Sequence, residues 1–209
     1  MNNNLLKKII TSFYKKMNLS TTHKERIDNL RRKGLRLGKN VIIHPNASID
    51  SNFCFLISIG DNSVIARGVR LLAHDSSAVC HNGGYSKLGR VNIKENCIIS
   101  NYSVILPGVT IGPNVLVASG SVVNKDIPPN SCVAGVPARY YSSFDEFIKK
   151  ERENINNSII VDGKKILLKE YVFDEELKNK IIKETEDKNI YMGNLAEVRK
   201  KRDSPIYRS

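Results

Sequence analysis

The stretch IKENCIISNYSVILPGVTIGPNVLVASGSVV, residues 93–123, decides the fold. Aliphatic side chains stand at Ile93, Ile99, Ile105, Ile111, Val117 and Val123, a strict period of six. Small or β-branched residues keep the same step at Ser103, Val109, Val115 and Ser121. An amphipathic helix repeats near 3.6 and a half-buried strand at 2, so neither accounts for the pattern. A unit of one short strand and one turn does, and three such units close a triangular coil of a parallel β-helix with its anchors pointing inward. The spacing is already present at Ile59, Ile65 and Leu71, and at Ile43 and Ile49 after a slip of four residues, read here as a small turn insertion. Gly60, Gly108 and Gly112 suit tight corners, where positive φ costs little for Gly or Asn.

The 209 residues suffice for one good domain with extensions. A hydrophobic content of 41% is that of a soluble protein, and no apolar run reaches the length of a membrane span. The start, Met1 to Lys8, lacks the order of a signal peptide, so a cytoplasmic location is expected. Cys54, Cys80, Cys97 and Cys132 are scattered without a C-x-x-C pair. Cys54, Cys97 and Cys132 read as small buried fillers rather than disulfide or zinc partners. The net charge of +12 gathers toward the two ends and is not interleaved with stacking aromatics, so nucleic acid is not the expected partner. An anionic cofactor or an anionic membrane surface explains the sign equally well.

Taken in order, residues 5–17 suit a basic amphipathic helix that either caps the open first coil or rests on a membrane surface. Residues 20–36 suit a second helix stopped at Gly34, with His23 on its surface. Three segments result: an N-terminal helical segment 1–39, a β-helix domain 40–141, and a C-terminal α/β extension 142–209. Within the β-helix the period breaks after Leu71-Leu72-Ala73-His74-Asp75 and resumes at Val91-Asn92-Ile93. The interval is polar and carries Asn82-Gly83-Gly84, so residues 75–92 are expected to project from a corner as a loop. In the extension, Ser143 and Glu146 form a capping box, Ile159 to Leu168 reads as a hairpin around Asp162-Gly163, and Phe173 to Ile190 as a helix.

The run I-L-P-G-V-T-I-G-P-N-V-L-V-A-S-G-S-V-V-N-K-D-I-P-P-N-S-C-V-A-G-V-P-A-R, within a match of about residues 40 to 141, resembles the left-handed β-helix acetyltransferases. The subgroup it is most similar to comprises galactoside, maltose and related sugar O-acetyltransferases. That resemblance implies a left-handed parallel β-helix, a homotrimer with sites between subunits, acetyl-CoA as acyl donor, a sugar or glycan acceptor, and no metal. It also implies roles for particular residues. His74, just before the insertion, matches the catalytic histidine, and Asn52-Phe53 resembles the Asn-Phe whose asparagine holds the oxyanion or acceptor. Asn101, Ala118, Ser119, Gly120, Asn124, Lys125 and Arg139 fall at cofactor-groove positions, the last two cations facing phosphates. Asn101 and Asn124 depart from the usual residues there. Asp75, His81 and Tyr85, in and beside the insertion, are further candidates for acceptor contact, and Asp75 could also orient His74.

The chemistry agrees with that assignment. Acetyl transfer from a thioester to a hydroxyl needs a base near neutral pH, which histidine supplies, and donors for the oxyanion. No covalent intermediate is required, which leaves Cys80 without a role as nucleophile. Alternatives on the same coils are N-acetylation of a nucleotide-linked amino sugar, acetylation of an antibiotic, and a non-catalytic scaffold. A γ-type carbonic anhydrase would need three zinc-binding histidines, and His44, His74 and His81 do not have that spacing.

Overall fold

The computed structural model of the protein describes residues 21–156, 160–162, 175–185 and 191–193. It is mainly β: a left-handed parallel β-helix, as the six-residue period requires. Helix α1 (Thr21–Arg32) precedes a first coil of β1 (Arg36–Leu37), β2 (Ile42–Ile43) and β3 (Ser48–Ile49). The second coil is β4 (Ile57–Ile59), β5 (Val64–Ile65) and β6 (Arg70–Leu71), followed by the hairpin strands β7 (His74–Asp75) and β8 (Lys87–Leu88). The third is β9 (Val91–Ile93), β10 (Ile98–Ile99) and β11 (Val104–Ile105), and the fourth β12 (Thr110–Ile111), β13 (Val115–Val117) and β14 (Val122–Val123). The coil then closes on β15 (Ser131–Ala134), with β16 (Arg139–Ser143) antiparallel to it.

Equivalent strands stack into three parallel faces: β1, β4, β9 and β12; then β2, β5, β10, β13 and β15; then β3, β6, β11 and β14. Ile99 pairs with Val117 and Ile105 with Val123, each one 18-residue coil on. The anchors Ile59, Ile65, Leu71, Ile93, Ile99, Ile105, Ile111, Val117 and Val123 are all at most 2% exposed. Burying each such side chain is worth about 1.5–3 kcal/mol, which is why register is held so tightly. The four-residue slip lies between β3 and β4, where Cys54–Leu56 forms a 3-10 turn.

Corner chemistry differs from the expectation at two glycines. Gly108 does take positive φ (91°), but Gly60 and Gly112 do not. At the edge between the first and second faces the left-handed residues are Asn40, Asn62, Asn96, Asn114 and Asn130, whose φ lies between 54° and 58°. Asn40 Nδ2 donates to Asn62 Oδ1 at 3.0 Å, the start of a ladder up that edge. Gly60 is needed for close approach: a Cβ there would lie 2.6 Å from the backbone of Lys94 and Glu95. Gly60→Ala is therefore expected to destabilise the coil by roughly 1–3 kcal/mol, the scale of overpacking. A fall in the thermal midpoint, with the fold retained, checks this.

Helix α1 packs on the first coil through buried Leu30, and the chain enters β1 after Leu35. It ends in a Schellman arrangement, with Leu35 N–H donating to Leu30 O and Gly34 N–H to Arg31 O, and Gly34 at φ 103°. Arg26 fastens it by donating to the carbonyls of Ala47 and Pro45 at 3.1 and 3.3 Å. The expectation of a surface position for His23 is wrong. It is 7% exposed, because its side of α1 faces the coil rather than solvent, and its Nδ1 has no hydrogen-bond partner among the described residues. Burial pushes its pKa down, Arg26 and His44 push the same way, and a hydrogen bond to the Ile43 carbonyl opposes them.

The consequence has a definite sign. Below the ordinary histidine pKa of about 6.5 the unfolded chain protonates His23 while the folded chain resists, so stability falls as pH drops. We expect the melting temperature to fall further between pH 8 and pH 5.5 in wild type than in His23→Gln, because the glutamine has no proton to take up on unfolding. Equal pH dependence in thermal melts of the two proteins would remove the assignment.

The chain divides into two compact units, Met1–Phe147 and Ile148–Ser209. Helix α2 (Phe144–Asn156) starts at the expected capping box. Ser143 Oγ accepts from Glu146 N–H at 3.1 Å, while Glu146 Oε2 accepts from Ser143 N–H at 3.2 Å. In the second unit β17 (Ile160–Asp162) pairs in parallel with β18 (Tyr191–Gly193), and α3 (Glu175–Glu184) lies between them in sequence. The far half of the expected hairpin and the basic helix of residues 5–17 lie outside the described residues. Among the described residues no helix is long and apolar enough to cross a membrane.

Candidate active site

Between the third face and the first, the chain turns at Asp50 in the first coil, at the insertion in the second, and at Asn124-Lys125-Asp126 in the fourth. The pairing of Ile49 with Leu71 sets coils one and two 22 residues apart at this point, so Asn52 lies level with His74 and Asp50 just before it. The side chains meet accordingly. His74 Nδ1 is hydrogen-bonded to Asp50 Oδ2 in a short contact. The same oxygen accepts from Ala73 N–H at 3.2 Å, and Oδ1 accepts from the N–H groups of Asn52 and Phe53, both at 3.2 Å.

Asp50 is thus a buried carboxylate, its side chain 3% exposed, with its acceptor capacity filled by fixed donors. Burial by itself drives its pKa up. The hydrogen bonds from His74, Phe53 and Ala73, with the neighbouring imidazole charge, outweigh that and hold the carboxyl below its usual range. An ionised Asp50 at Nδ1 selects the Nδ1–H tautomer of His74. The Nε2 lone pair is then left for a substrate proton, and Nε2 has no partner among the described residues. His74 keeps a side-chain exposure of 35%, and its ring is fixed from one side by Phe53, with centroids 5.0 Å apart.

Asp75 does not orient His74. It opens the hairpin on an exposed position, and its Oδ1 accepts from Ser77 N–H at 2.9 Å, a bond that holds its pKa below the usual range. Successive strand residues point to opposite sides, so the neighbour in sequence is the wrong place to look, and the partner comes from one coil away. The insertion itself is a hairpin, His74 pairing with Leu88 and Asp75 with Lys87. At its tip Asn82 clamps Tyr85: the Asn82 amide donates to Tyr85 O at 2.7 Å and accepts from Tyr85 N–H at 3.0 Å. Tyr85 is 74% exposed on this clamped turn, and His81 is also exposed.

Asn52 sits on the turn that holds Asp50, with its side chain exposed and its amide unpartnered among the described residues. The expected cofactor residues divide between two edges of the prism. Asn124 and Lys125 are exposed on the edge that carries His74, two coils further along. Asn101, Ala118, Ser119 and Gly120 lie on the edge between the second and third faces. There Asn101 Oδ1 accepts from Arg67 N–H at 3.2 Å, and the Ala118 carbonyl accepts from Ser103 and Ser121 hydroxyls at 3.0 and 2.7 Å. A Cβ on Gly120 would meet nothing within 4 Å, so this edge is open beside Ser119. Arg139 opens β16 and donates to Ala138 O at 2.9 Å. One chain alone does not bring the two edges together.

The buried cysteines behave as fillers. Cys54, Cys97 and Cys132 are fully covered, and burial pushes the Cys97 thiol up to about 12. Asp50 and the contact of the Phe53 ring with His74 escape a reading by motif. Counting the coil register forward through the four-residue slip would have found them.

Residues 90–125 match the family described as bacterial transferase hexapeptide (six repeats). The galactoside O-acetyltransferase of Escherichia coli K12 is 37% identical over 107 residues, which are 50% of this chain and 52% of that protein. The chain thus spans about half the length of that curated relative. Among solved structures, a maltose O-acetyltransferase from Clostridium difficile 630 is 28% identical with a TM-score of 0.49, covering 67% of this chain and 84% of that one. A galactoside acetyltransferase in complex with coenzyme A is 26% identical with a TM-score of 0.49, covering 69% and 81%.

Proposed function

We propose that this chain, whose β-helix carries the bacterial transferase hexapeptide repeat over residues 90–125, transfers an acetyl group from acetyl-CoA to a hydroxyl of a sugar or glycan. The observation that carries the reading is the Asp50–His74 pair at the mouth of the insertion. His74 Nε2 takes the acceptor's hydroxyl proton as that oxygen attacks the thioester carbonyl. Asp50 stabilises the imidazolium that forms and keeps the ring in place. The Asn52 amide, on the same turn, is the candidate donor to the oxyanion. As the tetrahedral adduct collapses, His74 returns the proton to the departing thiolate, so atoms and charge balance without an acyl-enzyme.

The donor fits the chain's own residues. Small side chains at Ala118, Ser119 and Gly120 leave an open edge for a thin arm, and exposed Lys125 and Arg139 offer fixed positive charge to phosphates. The division of these residues between two edges supports a site made where neighbouring prisms meet, as in a homotrimer. Sugar as acceptor is supported by the likeness to the galactoside enzyme.

The test is product identification. The purified protein is incubated with acetyl-CoA and a panel of sugars, amino sugars, nucleotide-sugars and short glycans. A mass gain of one acetyl group that mild alkali removes, as for an ester, supports the proposal. An alkali-stable acetyl on nitrogen would move the assignment to an N-acetyltransferase. No transfer and no coenzyme A binding would leave a scaffold.

A further inference from the structure

The four-residue slip between β3 and β4 builds more than a spacer. It places Phe53 against His74 and, next to it, Phe55, their rings 6.2 Å apart and tilted by 57°. Phe55 is 48% exposed, unusual for a phenylalanine, yet its backbone is locked. Cys54 beside it is fully buried, its Sγ 3.6 Å from Leu30 O, and Gly34 approaches so closely that a Cβ there would lie 2.7 Å from Phe55 Cβ. The end of α1 therefore holds an apolar ring out to solvent, two ring contacts from the candidate base.

Arg36 stands at the outer end of this shelf. Its Nη1 donates to the Phe55 carbonyl at 3.1 Å, which ties the guanidinium to the backbone that carries the ring. A guanidinium has five N–H donors, and Arg36 meets no carboxylate among the described residues. Arg36 also lines, with Ser58 and Lys94, a shallow groove of about 320 Å³ along the first face, whose one carboxylate is Glu95. An aromatic face suits the C–H face of a sugar ring, and a free guanidinium fork suits a carboxylate or phosphate.

We infer that the acceptor is an anionic glycan, its sugar ring resting on Phe55 and its carboxylate or phosphate held by Arg36. The inference rests on the transferase reading for the reacting hydroxyl, which faces His74, and adds the class of acceptor. Phe53 bridges the two, so the anion is bound on the far side of the sugar from the hydroxyl that reacts.

The experiment compares matched triplets (a neutral hexose glycoside, its uronate and its phosphate) by kcat/KM with acetyl-CoA. Binding of the same probes to His74→Ala is followed by ligand-observed NMR. One anionic member is expected to exceed the neutral one at least tenfold, and which one it is names the anion. Arg36→Gln retains a donor for the Phe55 carbonyl but loses the charge, and is expected to cut that preference about tenfold through KM. Arg36→Lys is expected to restore part of it, and Phe55→Ala to raise KM for every sugar. Transfer that ignores acceptor charge, or a preference unchanged in Arg36→Gln, would overturn the inference while leaving the transferase intact. Arg36-dependent binding of the anionic probes with no transfer to any acceptor would uphold the shelf and remove the transferase.

Discussion

His74→Ala is expected to lower kcat for acetyl transfer by at least about a hundredfold, the usual scale of a lost general base. The effect should fall on turnover rather than on KM for acetyl-CoA, because the expected donor contacts at Ser119, Gly120, Lys125 and Arg139 are on other turns of the chain. It should not come from unfolding. His74 lies at a corner with a side-chain exposure of 35%, outside the stacked aliphatic core. Its loss leaves Asp50 with the N–H groups of Asn52, Phe53 and Ala73. Steady-state kinetics beside a thermal melt check both halves of the expectation. A mutant with wild-type turnover would exclude His74 as the base.

Asp50→Asn is expected to cost nearly as much, about 10²–10⁴ in kcat, the scale seen when the carboxylate behind a catalytic histidine becomes an amide. The physical reason lies in donor and acceptor matching. The carboxylate presents acceptors to four groups: the N–H of Ala73, Asn52 and Phe53, and His74 Nδ1. An amide turns one end into a donor. Either a buried backbone N–H then faces another N–H, at about 1–3 kcal/mol, or His74 must adopt the Nε2–H tautomer and lose the lone pair that serves as base. Both costs come from one atom. The kinetic loss should therefore exceed what the fall in stability explains, and the pH–rate profile should change shape rather than merely scale. A variant that is destabilised yet keeps the wild-type profile would make Asp50 purely structural.

The spacing of the anchors made the coil legible because core packing at each third of a turn admits few residue types, and Ile59 through Val123 obey it. The insertion was equally visible, since a break in a strict period can only be a departure from the corner. The partner of His74 was not, for a topological reason. In a coil, functional neighbours lie one turn apart in sequence, here 24 residues from Asp50 to His74, and a four-residue slip hides the count. His23 was misplaced because a polar residue in a charged helix says nothing about which side meets the coil. At Gly60 the residue type was right for a different reason: the constraint is contact with the next coil rather than φ. At the fourth coil's equivalent corner, Asn124 and Lys125 share an edge with His74, whereas Ser119 and Gly120 do not, which a linear motif cannot tell.

Direct transfer with His74, oriented by Asp50, as base is tested by the rate of acceptor-dependent thiol release with both substrates varied, in wild type beside His74→Ala. Wild type is expected to give intersecting initial-rate lines, and the mutant turnover at least about a hundredfold lower. Parallel lines, with turnover retained in His74→Ala, would contradict it and point to an acyl-enzyme formed elsewhere on the chain.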